Sequence, residues 1–239
     1  MIAAQDFALA SCQAVIFTPD EEVSAVKVIK GLLPRWLDKF NAEPIILPTP
    51  SPREVPKVIL QSTSGAWRCE VGSERTSIVW QKAKSELPVL TMTEFFNEAT
   101  RLLFNYRQSI QPRVGRLAAI VTRYALQQSP GLFLSRHFCQ ERWHTAPLNR
   151  PQSFELHVHK RFLMANEYEV NSWMRNKTGT IQSETSPQEI VLVEQDLNTL
   201  SEDLPSRAYD MEQMNRFFEV VVPEFDTILN LYYPLQESR

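Results

Sequence analysis

A strand-like segment near residue 160 carries two histidines at a spacing that suits shared chemistry. In Glu155-x-His157-x-His159-x-Arg161, alternation places four polar side chains on one face of a strand and the intervening apolar residues on the other. Two imidazoles at i and i+2 can bind one metal ion, with the carboxylate as a third ligand. The same alternation is typical of the solvent face of a half-buried strand. We favour that interpretation, so no metal ligand is assigned here.

An acidic pair follows the apolar run Ile190–Val193. Glu194 and Asp196 would point to the same face of a strand. Hydrolases use paired carboxylates of this kind to bind Mg²⁺ or to act as acid and base. Any strand that reaches water can also end in such residues. Together with His157 and His159, the pair supports a metal-dependent hydrolase as one alternative function.

A second histidine-containing segment holds His137, Cys139 and His144. These residue types suit zinc, but their spacing matches no common zinc finger or ribbon. A Cys139–His pair would also lack an evident Asn or Asp to orient it for nucleophilic catalysis. The sequence therefore predicts structural roles for these residues, with no metal, no cofactor and no catalytic residue assigned.

The charge of the chain is strongly divided along its length. Residues 100–161 contain ten Lys and Arg against two acidic residues, a net charge of +8. Residues 201–239 contain eight acidic residues against three Arg, a net charge of −5, and the whole chain sums to only −3. An arginine-rich middle can bind phosphates, an acidic partner or the chain's own acidic C-terminal helix.

Arginines and aromatic residues are interleaved through residues 113–161, and this composition predicts a binding surface. Arginine with Trp or Tyr is typical of hot spots in protein interfaces and of sites for single-stranded nucleic acid. We expect another protein as the partner, nucleic acid as the alternative partner of the same surface, and no membrane contact. The predicted binding residues are Arg113, Arg116, Arg123, Arg136, Arg142, Trp143, Arg150, Lys160 and Arg161.

Several common catalytic and nucleotide-binding patterns are absent from the sequence. It contains no GxGxxG, GxxxxGK[ST], GxSxG or HExxH pattern, and it has only six glycines. These absences argue against ATP-driven work, dinucleotide redox chemistry, standard serine hydrolysis and zincin proteolysis. The prediction is a non-enzymatic interaction protein, either an adaptor or a regulatory subunit.

The elements that would position these residues predict an α+β fold with a largely antiparallel sheet. Capping boxes mark three main helices, beginning near Thr18, Thr91 and Asp210. Residues 127–152 are expected to be irregular. A helix followed by a strand meander occurs twice, which suggests two similar lobes. The N-terminal α+β lobe would span 1–110, and the C-terminal lobe, with the basic strand and loop region and the acidic terminal helix, 111–239.

The composition indicates a folded protein of the cytoplasm. Hydrophobic residues make up 43% of the chain, enough for a packed core. The three cysteines are odd in number and far apart, as expected for reduced thiols. Met1–Ala10 contains Asp6 and no Lys or Arg, unlike a signal peptide. No stretch approaches the ~18 apolar residues of a membrane span.

Three stretches resemble an uncharacterised, sporadically distributed prokaryotic family of about this length. They are the strand region Arg113-Val114-Gly115-Arg116 with Arg123-Tyr124, the strand Ile190–Asp196, and the amphipathic helix Asp210–Tyr232. The family pattern has an Asn shortly after Arg-Tyr and an Asp at the position of Glu194, and this chain has neither. Because the family has no assigned activity, the resemblance implies a bacterial cytoplasmic accessory protein, associated with mobile-element or antiviral-defence operons.

Overall fold

One nine-stranded antiparallel sheet and four α-helices form the fold of the described chain. The structure, a computed structural model, describes residues 2–19, 23–48, 52–82, 90–182 and 186–235. The strands are β1 (Ala8–Phe17), β2 (Ile45–Ile46), β3 (Val58–Gln61), β4 (Trp67–Val71), β5 (Arg75–Gln81), β6 (Arg116–Leu126), β7 (Glu155–Met164), β8 (Tyr168–Gln182) and β9 (Pro187–Thr199). The helices are α1 (Ala25–Leu32), α2 (Met92–Ile110), α3 (Pro130–Phe138) and α4 (Met211–Tyr232). The predicted α+β class and antiparallel sheet are confirmed.

Strands β1 and β6, which pair although they are far apart in the sequence, lie at the centre of the sheet. The strand order is β2-β3-β4-β5-β1-β6-β9-β8-β7. Because side chains alternate along a strand, every second residue of β1 and of β6 lies on the same side of the sheet, and most of these residues are apolar. The apolar ones that are buried include Cys12, Ala14 and Ile16 in β1 and Leu117, Ala119 and Val121 in β6. This side holds the hydrophobic core.

Helices cover that side of the sheet. The Phe96 ring of α2 lies 5.8 Å from the Phe218 ring and 6.3 Å from the Phe225 ring of α4, measured between centroids. Helix α1 packs on α2, and α3 contacts β8 and β9. His137 of α3 stacks on Tyr233, whose hydroxyl donates to Asn176 of β8 from the core side. None of the helices in the described residues has the length and apolar character needed to cross a bilayer.

Apart from the two-residue strand β2 between α1 and β3, both halves of the chain contain the same order of strands and α-helices. The first half has β1, α1, the meander β3–β5 and α2, and the second has β6, α3, the meander β7–β9 and α4. Each central strand pairs with the last strand of its own meander, and β1 pairs with β6. Because this pairing makes the sheet continuous, the division into lobes over 1–110 and 111–239 stays a prediction.

Two of the three predicted helix starts are confirmed in detail. Thr91 Oγ1 accepts a hydrogen bond from the Glu94 N–H at 3.2 Å, and the Asp210 carboxylate accepts one from the Gln213 N–H at 2.8 Å. The predicted helix start at Thr18 is wrong. Thr18 Oγ1 donates a hydrogen bond to the Ser73 carbonyl at 2.9 Å and does not cap a helix. Helix α1 begins only at Ala25, and Glu21 lies outside the described residues.

The region 127–152 is more regular than predicted and supplies an additional helix. It contains α3 and a short 3₁₀ turn over Glu141–Trp143. Pro130 occupies the first position of α3, where a missing N–H breaks no helical hydrogen bond. Gly131 permits a close approach of the chain, since a Cβ there would lie 2.3 Å from the Pro151 carbonyl oxygen. The Pro-Gly pair therefore begins a helix here rather than a turn.

Candidate functional site

Polar side chains form rows across β7, β8 and β9 on the side of the sheet opposite the helices. The strand register aligns His159 with Trp173 and Asp196, and His157 with Arg175 and Glu194. A third row, next along the strands, consists of Arg161, Asn171 and Asn198. We call this surface, together with Arg116 at the start of β6, the polar face.

A hydrogen-bond network with Asn198 at its centre fixes one part of the polar face. Asn198 Oδ1 accepts from Arg116 Nη2 at 2.7 Å and from Asn171 Nδ2 at 3.2 Å. Asn198 Nδ2 donates to Asp196 Oδ1 at 2.8 Å. Both asparagines are buried, with 4% and 7% of their surface exposed for Asn198 and Asn171. Since buried amides need partners, this network holds the charged groups around it in place.

The network continues to the edge strand β7 through Asn171. Its Oδ1 accepts from Arg161 Nε at 2.9 Å and lies 3.0 Å from His159 Nε2. Because an amide oxygen only accepts, His159 Nε2 carries the proton in this contact. Arg161 Nη1 also donates to Glu202 Oε1 at 2.7 Å. One guanidinium thus links the edge strand to the segment after β9.

Trp173 is the large aromatic side chain in the middle of the polar face. His159 stacks on it, with ring centroids 4.2 Å apart and planes inclined by 18°. The Arg175 guanidinium carbon lies 5.6 Å from the ring centroid, and Arg175 forms an ion pair with Glu194. Trp173 itself is half-buried. An aromatic platform with fixed charges around it is therefore presented to the solvent.

Asp196 is a half-buried carboxyl within the network. Burial raises its pKa above the usual value, while the Asn198 hydrogen bond and the charges of Arg175 and Arg116 act in the opposite direction. A displaced pKa in a cluster of ionisable groups is typical of functional sites. Networks of purely structural ion pairs also displace pKa values. The raised pKa of Asp196 therefore identifies this surface as a candidate site and indicates no particular reaction.

The histidines and the acidic pair of the alternative metal-dependent function lie on different strands, β7 and β9. His159 and Asp196 lie on strands separated by β8, a spacing of about 10 Å across two strand intervals. Trp173 of β8 lies between the two in the strand register, and the His159 ring stacks on it. His157 Nε2 lies 3.6 Å from Glu155 Oε2. Within the described ranges, no group of three or more His, Cys, Asp or Glu is arranged to hold a metal.

The predicted binding residues of the basic strands fall on different sides of the sheet. Arg116 and Arg161 lie on the polar face, as described above. Lys160 points to the other side, with Nζ 4.7 Å from the Phe162 ring centroid, and shares a cavity with Ile228 of α4. Arg123 is only 4% exposed. Its prediction as a surface residue is corrected, because alternation turns it towards α4.

The remaining predicted residues lie before β6 or in and after α3. Arg113 donates to the carbonyls of Leu204 and Pro205, so it joins the start of β6 to the segment after β9. The other four are exposed, and the Arg142 guanidinium carbon lies 5.2 Å from the Trp143 ring centroid. They are Arg136, Arg142, Trp143 and Arg150. We call them the α3 segment, and the region 113–161 is thus divided among several surfaces.

Part of the positive charge is matched within the chain. Arg123 Nη2 donates to Asp226 Oδ1 of the acidic helix α4 at 2.7 Å, and burial lowers the pKa of its guanidinium, offset by the charge of Asp226. Arg161 pairs with Glu202, which also belongs to the acidic C-terminal part. Among the described residues, Arg123 and Arg161 therefore pair with carboxylates of the acidic C-terminal part.

The histidines around α3 have structural contacts. His137 Nε2 lies 2.7 Å from the Tyr232 carbonyl oxygen, and its ring stacks between neighbours in the aromatic cluster of α3 and Tyr233. His144 Nε2 lies 3.3 Å from the Ser135 carbonyl oxygen. Because one ring nitrogen of each histidine contacts a backbone carbonyl, the geometry agrees with the structural interpretation of this segment.

Sequence reasoning missed the residues at the centre of the polar face. Asn171, Trp173, Arg175 and Lys177 alternate along β8 on one side of the sheet. The period-two pattern is visible in the sequence, where a Trp stands among polar residues. Their proximity to Asn198 depends on the pairing of β8 with β9, which no local pattern specifies.

Comparisons with known proteins leave the function to be argued from this geometry. No model of a known protein family matches the sequence, and a search of curated proteins finds no similar protein. The resemblance to the uncharacterised prokaryotic family therefore stays a prediction. The polar face, with its buried network and aromatic centre, is the candidate functional site.

Proposed function

We propose that this chain is a non-enzymatic interaction protein, an adaptor or regulatory subunit, that binds another protein through the polar face. One observation carries the proposal: Trp173 lies half-buried between His159 and Arg175 on a side of the sheet that no described helix covers. Trp and Arg dominate the hot spots of protein interfaces. Side chains held in place before binding also lose less conformational entropy when the partner docks.

The balance of charge favours a protein over a nucleic acid as the partner. On this side of the sheet, four basic residues stand with four acidic ones: Arg116, Arg161, Arg175 and Lys177 with Glu155, Glu194, Asp196 and Glu202. A phosphate backbone attracts surfaces with a clear positive excess. A partner protein can present both signs, and complementary charges of both signs fix its orientation.

The bonding pattern favours binding over catalysis. Each arginine of the polar face already donates to an acidic or amide side chain of the same surface. Catalytic groups instead converge on a point that a reacting atom can occupy.

Affinity purification from the native host tests the proposal. The full chain, its Trp173→Ala variant and the control Trp143→Ala would be captured at moderate salt, with and without nuclease, and the bound material identified by mass spectrometry. The control removes an exposed Trp of the α3 segment. We expect a stoichiometric protein that survives nuclease, is lost with Trp173→Ala and is retained with Trp143→Ala.

Other outcomes would point to other functions. Nucleic acid that co-purifies and disappears with nuclease would contradict a protein partner. Its affinity should then fall with salt at a log–log slope of about 0.7 per phosphate contact for single strands. Loss of a protein partner with Trp143→Ala but not Trp173→Ala would move the binding surface to the α3 segment. Equal capture by all three proteins would exclude both surfaces.

A further inference from the structure

A cavity of about 520 Å³ opens on the helix side of the sheet, away from the polar face. It lies where β1 and α2 begin and where α4 passes over β6. Apolar side chains form much of its wall, among them Leu9, Met92, Leu229 and Leu235. Small-molecule sites typically have about 300–1,000 Å³ and apolar walls with a few polar groups. The size and the lining therefore suit a small amphipathic molecule.

The positively charged group in the lining of this cavity is Arg123. It stands opposite Leu9 in the β1–β6 register and is 4% exposed. Its Nη1 donates to Gln195 Oε1 at 2.5 Å and its Nη2 to Asp226 Oδ1 at 2.7 Å. Burying a guanidinium costs free energy, and hydrophobic residues of similar volume often stabilise a protein more than a buried ion pair does. Stability alone therefore gives a weak reason for an arginine here.

The acidic partner of Arg123 is positioned to be replaced. The side chain of Asp226 is 57% exposed, whereas that of Arg123 is 5% exposed. Asp226 can therefore rotate into water at little cost, while Arg123 stays in the wall of the cavity and needs an acceptor. Met92, the first residue of α2, also lines this cavity, and a helix N-terminus favours negative charge nearby.

We propose that this cavity binds an apolar molecule that carries one carboxylate, with the carboxylate accepting hydrogen bonds from Arg123 in place of Asp226. The apolar body of the ligand lies against Leu9, Leu229 and Leu235. The reaction is an exchange of partners, in which one carboxylate replaces another on the same guanidinium and Asp226 turns to solvent. This site is separate from the polar face and does not depend on the proposed protein partner.

Isothermal titration calorimetry of the full chain with dodecanoate and with dodecanol tests the site. We expect saturable binding of one dodecanoate per chain, and binding of the alcohol weaker by about tenfold or more because its hydroxyl carries no negative charge to pair with the guanidinium. Arg123→Gln should abolish the preference for the acid. Asp226→Asn keeps an oxygen acceptor for Arg123 but removes the competing charge, so it should strengthen dodecanoate binding several-fold.

Wall variants provide a test that keeps Arg123 in place. Leu235→Ala should weaken binding of the acid, whereas Leu163→Ala, a similarly exposed leucine of β7, should leave it unchanged. Equal affinity for acid and alcohol, weaker dodecanoate binding in Asp226→Asn, or no saturable binding by the wild-type chain would each overturn the proposal. Circular dichroism of each variant would confirm that it is folded before its affinity is compared.

Discussion

The two halves of the chain share an order of elements but differ in the chemistry of the surface opposite the helices. In the first half, that surface carries a Gln13–Ser77 hydrogen bond of 2.6 Å and an Arg68–Glu70 ion pair of 2.7 Å. In the second half, it carries Trp173 and a network that joins Arg116, Asn198 and Asp196. The two halves therefore have similar strands and helices but different residues at the strand positions that face away from the core. For this reason, the proposed partner binding is placed on the second half as a prediction.

The largest predicted effect concerns the core that both halves share. Phe96 of the first half packs on Phe218 and Phe225 of the second, so Phe96→Ala should lower the free energy of unfolding by about 3–5 kcal/mol. We expect hydrogen exchange to show that β4 and β8 lose protection together. Loss of protection in β4 alone would instead support two lobes that unfold independently.

A smaller effect should separate the surfaces of the two halves. Arg161–Glu202 and Arg68–Glu70 are ion pairs of 2.7 Å whose arginine side chains are 49% and 48% exposed. Arg161→Glu should weaken partner binding by about tenfold or more, because it reverses a charge within the interface. Arg68→Glu is its matched control and should leave the affinity, measured by surface plasmon resonance, unchanged. Equal losses in both variants would contradict the assignment to the second half.

The smallest effect concerns the pH dependence of stability. Since burial raises the pKa of Asp196 in the folded chain, the folded state takes up the proton first as the pH falls. Its protonation contributes stability that is present below the ordinary value of 3.8 and is lost as the pH rises through the raised value. Asp196→Asn should therefore be more stable than the wild type at neutral pH, by about 0.5 kcal/mol.

This advantage of Asp196→Asn should disappear in acid, as measured by urea denaturation over a series of pH values. Gln13→Ala provides the comparison in the first half, because Gln13 and its partner Ser77 do not titrate. Its change in stability should be the same at each pH. An advantage of Asp196→Asn that persists in acid would show that the burial of Asp196 is not the cause.

The elements were more predictable than their arrangement. Strand β6 (Arg116–Leu126) could be predicted from the sequence, because it contains a run of apolar and β-branched residues from Leu117 to Thr122. The starts of α2 and α4 followed from local capping boxes. Helix α3 was missed, since Pro130-Gly131 is typical of a turn, and the close approach of Pro151 that Gly131 permits is a contact between residues distant in the sequence.

The candidate site was predictable only in part, because its contacts are non-local. Arg123 is two residues after the buried Val121, so the two side chains lie on the same, core-facing side of β6. The burial of Arg123 could therefore have been predicted from the sequence. The bond between Arg116 and Asn198 joins residues 82 positions apart. It exists because β6 pairs with β9, and that pairing depends on the packing of the whole sheet.

Hydroxyl-radical footprinting of the chain with its captured partner tests the central claim most directly. Trp173 and Trp143 are both accessible in the free chain and are oxidised readily, so they report on the polar face and the α3 segment in one experiment. We predict that oxidation of Trp173 falls to background in the complex while that of Trp143 is unchanged. Protection of Trp143 with Trp173 still oxidised would contradict the assignment of partner binding to the polar face.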